Sequence, residues 1–144
     1  WSPSQVVDQL FLILDFPCDE ERPDCRTNDY GPQVRKADEA QAASVADQAT
    51  LTQEHSLRSG TLRTIELADG SAITFPVLKR TSTFDVRSGT YLEAPTDFAH
   101  LSGQNTINNS ATMTTDVFLA VHIKKDGDPV VLAAREQVVA ASGS

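Results

Sequence analysis

The stretch Met113-Thr114-Thr115-Asp116-Val117-Phe118-Leu119-Ala120-Val121-His122-Ile123 decides how the rest of the chain is read. Successive side chains of an extended strand point to opposite sides, so Val117, Leu119, Val121 and Ile123 share one face. Phe118, Ala120 and His122 share the other. Apolar character on both faces predicts a central strand, covered on each side.

Toward the C-terminus, Lys124-Lys125-Asp126-Gly127-Asp128 turns the chain. The Asp-Gly dipeptide and the pairs Val130-Val131 and Val138-Val139 favour a returning strand over 129–140. Asp128 and Pro129 would also suit the start of a helix, as cap and first position. In the other direction, Ile73, Phe75 and Val77 alternate after Asp69-Gly70, a dipeptide suited to a tight hairpin turn. Residues 61–67 supply its first arm. Pro76 has no N–H to give a ladder, which assigns it to an edge or a bulge. Residues 82–87 and 90–93 read as a weaker strand pair about Ser88-Gly89. A helical turn follows over 95–101, then an exposed Asn-rich loop over 102–110.

Before Gly60 the pattern changes to helix. Ser2 with Gln5 forms a capping box, and Pro3 takes the first helical position, where a missing N–H costs nothing. Val6, Leu10, Ile13 and Leu14 recur at helical spacing, with Val7 and Phe11 widening the stripe. Asp15-Phe16-Pro17 ends it, because the residue before proline avoids the helical region. The run Phe11-Leu12-Ile13-Leu14 also fits a buried strand. Residues 33–56 are rich in Ala, Gln, Asp and Ser, and their alanines predict a second helix. The expected architecture is therefore α+β: two N-terminal helices packed on an antiparallel sheet of about four to six strands. It forms one domain over 1–144, with a helical half over 1–60 and a β-rich half over 61–144.

A chain of 144 residues suits one core. No apolar run reaches the roughly 18–20 residues of a membrane span. Residues 1–60 hold eleven acids and five bases, and the whole chain carries a net charge of −8. That balance opposes binding to nucleic acid or anionic lipid. Cys18 and Cys25 are separated by six residues, too many for a Cys-x-x-Cys metal or redox pair, and no second pair would complete a zinc site. A short disulfide is expected, and with it an extracytoplasmic or secreted location or the exterior of a particle. The start at Trp1 fits removal of an upstream segment.

Neither phosphate-cradling glycine loops nor hydrolase or zinc-protease motifs occur. The acidic stretch Asp19, Glu20, Glu21, Asp24 and Asp29 lacks the alternate spacing and glycine turn of a calcium loop, and reads as solvated. Candidate general bases are His122, were it enclosed near Asp97, Asp116 or Tyr91, and the pair Asp97 and His100 at helical spacing. His55 reads as solvated at a helix end. Neither cofactor nor metal is expected. Arg63, Lys79, Arg80, Arg87, Lys124 and Lys125 would make a basic face only if the sheet aligned them, without the interleaved aromatics a single-strand reader needs.

With no catalytic constellation, the expected function is a non-catalytic assembly subunit, in a shell, filament or surface complex. It associates with itself or another protein through Leu10, Phe11, Ile13 and Leu14. A secreted small-molecule-binding cone or barrel with an Asp/His pair is the alternative. A coat-type subunit touching nucleic acid is a third.

Overall fold

The computed structural model describes residues 2–14, 30–58 and 60–144. Helix α1 (Pro3–Leu14) starts as its capping box requires. Ser2 N donates to Gln5 Oε1 (3.1 Å), and Gln5 N donates to Ser2 Oγ (3.4 Å). Helix α2 (Tyr30–Ser44) follows, and a turn leads into β1 (Ala49–Leu57). The short strands β2 (Thr64–Glu66) and β3 (Ala72–Thr74) form a hairpin. Its turn uses Gly70 at φ +87°, where a side chain would be strained. Asp69 Oδ1 accepts from Ser71 N (2.9 Å) and Ser71 Oγ (2.5 Å), which holds the Asp69 carboxyl below its ordinary pKa.

The sheet continues with β4 (Val77–Val86) and is built around β7 (Ser110–Ile123). On one edge of β7, β4 and β3 lie end to end in a single unshifted register. Pro76 stands in the gap between them, accepting from Leu119 N (3.1 Å) with no N–H to return. On the other edge lies β8 (Pro129–Gly143), so 129–140 is strand, not helix. The long strands run in the order β1-β4-β7-β8, each antiparallel to the next. A separate ribbon pairs β5 (Leu92–Glu93) with β6 (Thr106–Ile107), and α3 (Thr96–Ser102) lies between them in sequence. Thus 90–93 does not pair with 82–87, and the expected loop over 102–110 contains a strand.

The α+β expectation is overturned: half of the chain (50%) is strand, in a six-stranded antiparallel sheet with only short helices. The misreading arose at the second helix, expected to reach Ser56. Its alanines sustain it only to Ser44; beyond a turn, Ala49, Leu51, Gln53 and His55 alternate inward on a strand. The β-branched Thr50 and Thr52 between them suit a pleated surface better than a helix.

One face of the sheet is covered. Val6 and Val7 of α1 and Val34 of α2 pack on Leu78, Val117, Leu119, Val121 and Ile123. Toward the other end, Phe98 of α3 and Ile107 pack on Ala111. The opposite face is open. Phe118, expected under cover, is 41% exposed there, so β7 is central within the sheet but not enclosed between layers.

Candidate functional site

Between the two apolar clusters the covered face carries a polar belt. Gln53 and His55 of β1 stand opposite Ser82 and Arg80 of β4, and Arg80 stands opposite Thr115 of β7. All five are buried, as is Asp38 of α2. Arg80 Nε donates to His55 Nε2 (2.9 Å), which fixes that imidazole nitrogen as an acceptor. Arg80 Nη2 donates to Glu136 Oε1 of β8 (2.8 Å). Burial pushes the Asp38 carboxyl up to about 6; the Arg80 guanidinium pulls against this and Glu136 adds to it. Gln53 is hydrogen-bonded to Asp38, while its Oε1 is buried with no hydrogen-bond partner among the described residues. The belt ties β1, β4 and β8 together through one guanidinium. His55, expected in solvent, and Arg80, counted with the surface bases, are therefore interior residues.

The sequence-derived catalytic candidates do not converge. Asp97 and His100 are exposed on α3 with no hydrogen bond between them among the described residues. Tyr91 is exposed at the rim of an open cavity of about 590 Å³, beside Gln48, Thr90 and Glu93. His122 faces Ile73 and Val130 on the open face, near the Asp69 carboxylate. It lies roughly 35 Å of strand from the α3 end, at about 3.3 Å per residue. The face of Phe118, Ala120 and His122 is open to solvent at Phe118. A cavity of about 170 Å³ does lie on the covered side, among Val45, Phe84, Phe98, Ile107 and Met113. It falls short of the roughly 300 Å³ at which small-molecule sites begin.

The basic residues are scattered likewise. Arg80 is buried, Lys79 stands on the open face, Arg63 donates to the Gly60 carbonyl, and Lys124 pairs with Asp128. Lys79 and Arg80 thus lie on opposite faces of the sheet. Among the described residues no helix is long and apolar enough to cross a membrane. The expected Cys18–Cys25 link and the acidic cluster over 19–29 lie outside the described residues. So do the side chains of Leu10, Phe11, Ile13 and Leu14, the expected interface.

The feature that sequence reading missed is the outer edge of β8. This strand is 15 residues long, and among the described residues it pairs with β7 alone. Two bulges interrupt it, between Thr114/Thr115 and between Ala120/Val121 of its partner. Each inserts one extra residue into β8, and these are Val139 and Leu132. They are also its exposed large apolar residues, at 39% and 56%. Between them the segment from Ala133 to Val138 pairs regularly with β7. Arg135 lies on the open face opposite Phe118, exposed and in no ion pair among the described residues.

Comparison with protein-family models, with curated proteins and with solved structures finds no match for this chain.

Proposed function

We propose that the protein is a non-catalytic assembly subunit that associates with copies of itself by strand pairing along β8. The long edge of β8, framed by exposed Leu132 and Val139, carries this reading. A row of outward backbone groups is a template for another strand, and most proteins shorten or cover such an edge. Here the bulges and the charged Arg135 and Glu136 restrict which strand fits, and among the described residues no strand other than β7 pairs with β8. The polar belt supports the same role. Its Arg80–Glu136 contact anchors β8 from the interior side, so that the edge is presented rigidly.

The test is sedimentation velocity at micromolar concentration on the wild type and on Leu132→Lys/Val139→Lys. Both side chains are exposed, so the variant should keep its fold by circular dichroism. The wild type should run as an oligomer and the variant as a monomer. A wild type that is monomeric throughout this range would refute the reading.

A further inference from the structure

We infer that β8 of one copy pairs with β1 of the next, so that the sheet continues from subunit to subunit; this rests on the assembly reading above. The two strands are the outer members of the series β1-β4-β7-β8, which alternates in direction. A β1 placed beside β8 continues that alternation with both covered faces on the same side.

The hydrogen-bond phase of the two edges agrees. Leu119 N donates to Pro76 O, so Leu119 bonds toward the β4 and β3 edge, and its neighbours Phe118 and Ala120 bond toward β8. Their partners Arg135 and Ala133 bond inward, leaving Ala134 and Val138 with N–H and C=O on the outer edge. On the far side, Arg58 N donates to Val77 O (2.9 Å), which turns Thr52 and Glu54 toward β4 and Leu51 and Gln53 outward. Outward groups on both strands belong to covered-face residues. One antiparallel alignment therefore satisfies bonding phase and face together.

Charge selects the register. Glu54 and Arg135 both project on the open face, both are exposed, and neither is in an ion pair among the described residues. Setting them opposite one another brings Val138 against Leu51, Gln137 against Thr52 and Leu132 beside Leu57. Pairing of β8 with itself fares worse. A two-fold axis must pass through a residue pair, so centring it on the regular segment sets Arg135 on Arg135 or Glu136 on Glu136 of the second copy. The β8-to-β1 contact is heterologous, so it builds a filament, or a ring if the rotation closes.

Glu54→Arg and Arg135→Glu test this, because both positions are exposed and their variants should fold. Each variant alone should associate about tenfold more weakly, since opposite charges become like charges across the strands. An equimolar mixture of the two, or the double variant, should regain wild-type association. Val138→Pro, which removes an outward N–H and no β7 bond, should abolish it. If Glu54→Arg assembles as the wild type does while Leu132→Lys/Val139→Lys does not, β1 takes no part in the contact and the inference fails with the assembly reading intact. A monomeric wild type overturns both.

Discussion

The middle of the covered face and the strand β8 belong to one sheet and are built from similar residues, yet they differ in fate. Val117, Val121 and Ile123 of β7 are fully buried beneath α1 and α2, whereas most of β8 is exposed along its length. The difference is not in apolar content, since β8 carries Val130, Val131, Leu132, Val138 and Val139. It lies in partners. Strand β7 has strand neighbours on both edges, while among the described residues β8 pairs with one strand, is touched by α3, and carries bulges at Leu132 and Val139. Exposed apolar residues on a singly paired strand are the kind of surface where a partner binds.

The largest expected effect falls on the buried side. Leu78→Ala removes a fully buried side chain from the larger cluster and should cost about 2–5 kcal/mol in urea unfolding. A loss below about 1 kcal/mol would show that this cluster is not the main core. Arg80→Met should cost less, about 2–3 kcal/mol, because Glu136 is partly solvated and can find water, whereas His55 and Asp38 cannot. A neutral or stabilising result would mean that apolar packing replaces the belt without penalty.

A smaller effect depends on pH. The Asp38 carboxyl titrates near 6 in the folded chain and near 3.8 when unfolded, so over that interval the folded state holds the extra proton. This group's contribution to stability therefore falls as pH rises from about 4 to 6 and stays low above. Asp38→Asn should exceed the wild type most at pH 7–8, with the advantage gone near pH 4. A difference that does not vary with pH would contradict a buried carboxyl whose burial outweighs its attraction to Arg80. Smallest of all for stability should be Leu132→Lys/Val139→Lys, within about 0.5 kcal/mol per site, though its effect on association is complete.

Much of the frame was legible in the sequence. The Ser2–Gln5 box announced α1, the alternation from Val117 to Ile123 gave β7, and Asp69-Gly70 marked the β2–β3 hairpin. Each is a local signal between residues a few positions apart. The belt was not legible because Arg80 meets its partners 25 and 56 residues away, and Gln53 and His55 break the apolar-in pattern on an inward face. Strand β1 was hidden for that reason and by the alanines before it. The bulges were also invisible, since one extra residue in β8 has meaning only against the register of β7. The edge that became the candidate site is a property of topology, which no periodicity encodes.

The most direct measurement of the central claim is the native mass of the wild-type chain across a micromolar concentration series. The β8 edge predicts a mass that rises with concentration through defined multiples of the subunit. A single subunit mass at every concentration would contradict it.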